Sequence, residues 1–179
     1  IPDGVTSISD GVFKDCRSLT SIKIPDVVTS IGNYSFSGCK GLTLIEIPNG
    51  VAYIGDKAFS YCTGLTSIDI PDSVTYLGNE AFRYCTGLTS VKIPKIIAFI
   101  GNGIFNDCSN ILSIDIPDNI TSVGDYAFYN CSSLISIILP DNITFIGNFS
   151  FYNCTSLTSI TIGKGVTSIG DYAFYNCTS

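Results

Sequence analysis

The chain has 179 residues, 45% of them hydrophobic and 13% charged, with a net charge of −6 and no histidine. An acidic chain of pI near 4.3 repels nucleic acid and anionic lipid, and without imidazole acid–base catalysis would fall to carboxylates or another less usual group, so neither a nucleic-acid partner nor an enzyme is expected. Mean hydropathy is high at +0.38, yet Pro, Gly, Asp or Thr breaks every apolar run, and no 18-residue apolar stretch offers direct membrane insertion.

The octapeptide GDYAFYNC occurs at Gly124 to Cys131 and again at Gly170 to Cys177, twice 23 residues apart. Cut into frames of 23 from Ile1, the chain aligns without insertion or deletion to the consensus I-P-x-x-V-T-x-I-G-x-x-A-F-x-x-C-x-x-L-T-S-I-x. Frame position 13 is Phe and position 16 is Cys in all eight frames, which uses every cysteine in the chain. A strict period of this length signifies a solenoid, in which one unit cannot bury its apolar side alone and must stack on its neighbours.

Within each coil the elements read in order. The aliphatics of L-x-x-I-x-I, at positions 19, 22 and the next position 1, point inward from a first strand that Pro at position 2 ends, lacking an N–H for the ladder. V-T-x-I at positions 5 to 8 gives a second strand of β-branched residues. Gly at position 9 suits a turn needing φ > 0, and Asp or Asn at position 10 reads as the N-cap of a short helical turn that carries A-F-x-x-C inward. The expected fold is therefore a solenoid of parallel β-strands with short helical turns, in eight coils of which the last is incomplete.

This motif, repeated eight times in phase over the whole chain, resembles the leucine-rich repeats, and among them the 23-residue BspA-like class of surface proteins of spirochaetes, anaerobic bacteria and some protozoan parasites. The commoner leucine-rich repeats carry an asparagine after L-x-x-L-x-L. Here position 4 holds Gly4, Val27, Gly50, Ser73, Ile96, Asn119, Asn142 and Gly165, so no continuous asparagine ladder is expected and that corner must satisfy its backbone otherwise. The resemblance implies an extracellular or cell-surface location and adhesion to host matrix or to other cells.

The unbroken phase predicts one leucine-rich-repeat domain over residues 1–179. The chain starts on Ile, contains no Met, stops mid-repeat and shows no polar cap, which reads as a fragment of a longer array whose further repeats cover the ends. The cysteines, at core spacing and with no C-x-x-C or His, read as small buried hydrophobes, not as disulfides or metal ligands. Position 3 carries a column of Asp interrupted by Asn49, Lys95 and Lys164, which reads as a solvated turn in preference to a calcium site. No cofactor is expected. Seven N-x-S/T sequons, at Asn33, Asn119, Asn130, Asn142, Asn148, Asn153 and Asn176, carry weight only in a secreted eukaryotic protein.

Where the consensus serves folding, departures from it mark function. Position 7, usually Ser, is Tyr53, Tyr76, Phe99 and Phe145 in four frames, an expected aromatic stripe on the second strand. On the first strand, Leu112 and Ile135 at position 20 and Ile138 at position 23 form an apolar island on a polar face. The i, i+3 pairs Tyr126 with Tyr129, Phe149 with Tyr152 and Tyr172 with Tyr175 read as by-products of repeat duplication. These surfaces suit a binding or adhesion module for a protein or glycan ligand. The alternative is a structural rod or fibre in which the same patches make self-contacts.

Overall fold

The computed structural model describes residues 1–178, which wind into the expected solenoid. Strand two is present in all eight coils as a two-residue segment, from Ser7–Ile8 to Ser168–Ile169, with position 7 outward and position 8 inward. Strand one is formed at Ser67–Asp69, Ser90–Lys92, Ser136–Leu139 and Ser159–Ile162, with parallel bridges Lys92 to Asp115 and Ser113 to Ser136 filling the step between. All pairing is parallel, and each residue meets the one 23 positions on, as in Ser7 to Ser30 and Ile137 to Ile160. Leucine, isoleucine and valine from both strands fill one continuous core.

Two internal spines run along the axis. The position 13 phenylalanines stack face to face from Phe13 to Phe174, with ring centroids 5.0 to 5.8 Å apart. Beside them, each thiol from Cys39 to Cys177 donates its S–H to the position 13 carbonyl of the preceding coil, over 3.0 to 3.3 Å. The cysteines are free thiols, and six of them are buried as read from the sequence, while Cys16 and Cys177 in the terminal coils are exposed and half-buried; the role of a small hydrophobe is only half of theirs.

The corner from position 9 to 16 differs from expectation in three respects. It forms no helix. Instead, positions 11 and 15 adopt left-handed backbone in every coil, with φ between 54 and 76°, although they hold Tyr, Lys, Glu, Phe, Asp and Asn as well as Gly. The alternation turns the N–H groups of positions 11, 13 and 15 along the axis, where each donates to a carbonyl of the following coil, as in Gly11 to Asn33, Phe13 to Ser35 and Asp15 to Ser37. A helix would have spent those donors within its own coil, leaving each coil joined to the next only through its strands. Left-handed backbone costs about 1–2 kcal/mol for an L-residue. The three intercoil bonds at each step offset it.

Second, Asp or Asn at position 10 caps nothing in its own coil. Its side-chain Oδ1 accepts the position 10 N–H of the next coil, Asp10 from Asn33, Asn33 from Asp56 and onward to Asn148 from Asp171, at 2.7 to 2.9 Å. A side-chain ladder therefore exists, six positions along from where the commoner leucine-rich repeats keep theirs. At position 4 the amides act singly, Asn119 on the Ile97 carbonyl and Asn142 on that of Asp118. Third, the glycines at position 9 do not have positive φ. They are required by close approach: a Cβ on Gly55 would lie 2.7 Å from the backbone nitrogen of Asn33 and 2.8 Å from the Gly32 carbonyl carbon.

The other corner, positions 2 to 5, is a β-turn closed in each coil by the position 5 N–H on the position 2 carbonyl, as in Val28 to Pro25. Consensus threonines also reach between coils: at positions 6 and 20 the hydroxyls donate to the carbonyl 23 residues earlier, as in Thr144 to Thr121 and Thr89 to Thr66.

One step is imperfect. Strand two forms one sheet over coils one to four and another over coils five to eight, so Tyr76–Leu77 and Phe99–Ile100 are not paired with each other. The bond from Gly N–H at position 9 to the preceding position 8 carbonyl, present at the other steps, is missing at Gly101 among the described residues. Coil five brings extra volume to this layer. Ile97 replaces the valine of coils one to four, and Ile104 replaces the alanine found in the adjoining coils as Ala81 and Ala127, both isoleucines being buried. Extra methylenes in a filled core are accommodated by backbone displacement.

Two outcomes follow from this packing. Gly55→Ala lowers stability by several kcal/mol, in the range for overpacking against backbone, whereas Gly4→Ala, with nothing within 4 Å of its Cβ, changes it little; urea midpoints compare them. Burial raises the Cys39 thiol from 9.0 to about 11 and pushes Cys62, Cys85, Cys108, Cys131 and Cys154 up as well. The unfolded chain then loses these protons first, so stability holds below pH 9 and falls as pH rises through 9 to 11. Denaturation midpoints across that range, with Cys85→Ala as the less alkali-sensitive comparison, check the slope.

Candidate functional site

Three exposed surfaces depart from the repeat. On strand two, Tyr53 and Tyr76 face each other across paired strands, their rings parallel and 4.8 Å apart. Tyr76 also donates its hydroxyl to Asp56 Oδ1 at 3.4 Å, and burial together with that carboxylate raises its phenol above the ordinary tyrosine value. Phe99 and Phe145 are exposed on the second sheet, with Ser122 between their strands. The expected stripe is thus divided: Phe99 follows Tyr76 in the repeat, but the interruption of the ladder falls between them.

On strand one, Leu112, Ile135 and Ile138 are all exposed, and Ile138 at 68% is the most exposed of the large hydrophobic side chains. The Ile135 N–H bonds the Leu112 carbonyl at 3.1 Å, so these two are direct neighbours. Ile138 is paired with Thr161 and lines a shallow groove of about 790 Å³ together with Asp115, Asp141 and Lys164. The same face continues over coils two to four as grooves bordered by Glu46, Asp69, Asp72 and Lys92, with a Lys92 to Asp72 contact at 3.8 Å. Strand one therefore presents a charged trough with an apolar patch towards one end. Leu44, 55% exposed in the otherwise Ser column at position 21, also lines this trough and was legible in the sequence as a column break. Val27 and Ile96, exposed at position 4, are further departures of the same kind.

At the left-handed corner the aromatic pairs form two stacked columns. Tyr126, Phe149 and Tyr172 stack in one column at 5.0 and 5.1 Å, and Tyr129, Tyr152 and Tyr175 in a second at 5.0 Å. Tilted contacts of 5.6 to 5.8 Å join the columns within each coil. Earlier coils carry charge at this corner instead: Glu80 takes Arg83 at 2.7 Å and Lys57 at 3.4 Å, and Lys57 and Lys14 both lie over the Tyr34 ring. No group of three or more metal-ligating side chains converges among the described residues.

The divided stripe has a measurable signature. A double-mutant cycle on Tyr53 and Tyr76 gives a coupling of about 0.5–1.5 kcal/mol, as for other stacked aromatic pairs. The cycle on Tyr76 and Phe99 gives a coupling near zero. Chemical denaturation of the single and double alanine variants reads both.

Comparison with known proteins agrees with the geometry. The sequence profile for the BspA type leucine rich repeat region, in six copies, matches residues 1–111 and 99–179. Among solved structures, a leucine-rich repeat protein from Bacteroides ovatus is 29% identical with a TM-score of 0.76, the match covering 100% of this chain and 64% of that one. A second leucine-rich repeat protein, from Eubacterium ventriosum, is 30% identical with a TM-score of 0.81 and coverage of 89% and 43%. A leucine rich cell surface protein from Faecalibacterium prausnitzii is 33% identical with a TM-score of 0.69 and coverage of 90% and 52%. The chain spans less than two thirds of each of these structures. No curated protein matches. With the profile matched from end to end and the 23-residue coil seen in the fold, the chain belongs to the BspA-type leucine-rich repeat family.

Proposed function

We propose that this chain is a non-enzymatic recognition module displayed at the cell surface, and that it holds a protein ligand against strand one of coils five to seven. The observation that carries this reading is the island of Leu112, Ile135 and Ile138 in a face whose other outward residues, Leu44 apart, are mostly polar. Water-exposed isoleucine and leucine contribute nothing to the core, and clustered apolar side chains rimmed by charge are the usual anatomy of an interface. The acidic and basic groups beside Ile138 supply such a rim. The surface location is supported by the likeness to the Faecalibacterium cell surface protein.

The test is binding of the purified chain to immobilised extracellular-matrix proteins and to intact epithelial cells, with sedimentation velocity in parallel. The expected result is a monomer whose binding falls at least about tenfold in the double variant Ile135→Ser, Ile138→Ser, the scale of losing one or two hot-spot side chains. Concentration-dependent assembly of the wild type that the same substitutions abolish would favour the rod reading instead.

A further inference from the structure

Read down the stack, position 11 at the left-handed corner holds Gly11, Tyr34, Lys57, Glu80, Gly103, Tyr126, Phe149 and Tyr172. These side chains pile on one another at one coil per layer, and in coil five the layer is empty because the residue is glycine. The vacancy is a notch of about 270 Å³. At about 30 Å³ per water this is space for roughly nine waters, the size class of one small ring and not of a chain.

Its walls are unlike. On one side stands the Glu80–Arg83 ion pair; on the other is Tyr126, stacked on Phe149 by one face while its opposite face meets only the glycine layer. Asn102, Asn106 and Asp125 complete the lining. A Cβ placed on Gly103 would sit 3.0 Å from Glu80 Cγ and 3.7 Å from Asn106 Cβ, so any side chain at this position would occupy the notch. Charges nearby cancel: Lys57 and Arg83 stand against Glu80 and Asp125.

We infer that the notch at Gly103 is a binding site for a single pyranose ring of a neutral sugar. The ring takes the layer that glycine leaves open and lays its weakly positive C–H face on the negative face of Tyr126, extending the aromatic column by one member. Its hydroxyls donate to the carboxylates of Glu80 and Asp125, which line the notch and retain lone pairs. A neutral ligand fits the balanced charge, where a phosphate or a cation would meet one unfavourable wall. The site lies on the corner, apart from strand one, and stands whether or not the Ile138 island binds protein.

The test is a titration of the whole chain with the methyl pyranosides of glucose, galactose, mannose and N-acetylglucosamine, followed by calorimetry and by NMR of ring-labelled tyrosine, with adenosine as a flat heteroaromatic comparison. At least one pyranoside should bind saturably and shift the Tyr126 resonances. Its affinity should fall about tenfold or more in Tyr126→Ala, the scale of one lost stacking partner. It should fall equally in Gly103→Asn, which fills the notch with a residue that tolerates the left-handed backbone. Ile138→Ser should bind as the wild type, which separates this site from the strand face. Position 11 accepts lysine and glutamate in other coils, so both corner variants are expected to fold, and thermal melts verify it. Absence of binding by every pyranoside, wild-type affinity in both corner variants, or tighter binding of adenosine would overturn the assignment.

Discussion

Each coil can satisfy its backbone only through the coils on either side of it. The corner N–H groups at positions 11, 13 and 15 donate forward along the axis, and the strand N–H groups at positions 6, 9 and 20 donate backward. Buried N–H and C=O groups left unpaired are expensive, so a coil one residue too long or too short would strand a whole row of them. That cost is the physical reason for the invariant 23-residue spacing. It also explains why two short strands per coil suffice: the corner adds three intercoil bonds at each step to those of the strands, and thiols, threonines and position 10 side chains add more.

The strength of this scaffold sets where variation can occur. Positions 9, 10, 13 and 16 touch the neighbouring coil with backbone, amide, ring and sulfur, and they barely vary. Outward positions such as 4, 7, 11, 14, 20 and 23 carry much of the chemical difference between coils. Coil five departs most, combining the bulky Ile97 and Ile104 inside with Gly103 and Leu112 outside. The interrupted strand-two ladder and the corner notch both belong to it, while the phenylalanine stack, the position 10 ladder and the thiol bonds pass through without a break. One coil thus relaxes the repeat locally at no cost to its continuity.

Periodicity made the architecture readable. The inward spacing of aliphatics placed both strands, and the invariant columns at positions 13 and 16 located the spines. What the sequence did not disclose was why certain columns are invariant. Gly at position 9 looked like a torsional requirement and is a steric one, because the proximity of Gly55 to Asn33 exists only between coils. Asp and Asn at position 10 looked like helix caps, since a cap and an intercoil acceptor demand the same short side chain. Left-handed backbone at Tyr126 or Lys57 has no residue signature at all, glycine being the usual marker. Of the surface residues, the island of Leu112, Ile135 and Ile138 was visible as column breaks. The division between Tyr76 and Phe99 was not, because pairing between coils is not written in either residue. The stacking of the corner aromatics follows from their recurrence at positions 11 and 14 in an in-register solenoid, and a recent duplication and a selected column leave the same letters.

The position 10 ladder has one more implication. Because every coil offers its successor the same acceptor and donates to its predecessor through the same N–H, a block of 23 residues can be gained or lost with each remaining coil still finding its match. Growth or shrinkage of such a gene in whole units is then nearly silent to folding, while it transports whatever ornaments the outer columns bear to a new height along the rod. Verbatim recurrence of GDYAFYNC is the trace of that freedom: a scaffold with an exchangeable face, whose recognition can be rewritten by copying as readily as by point substitution.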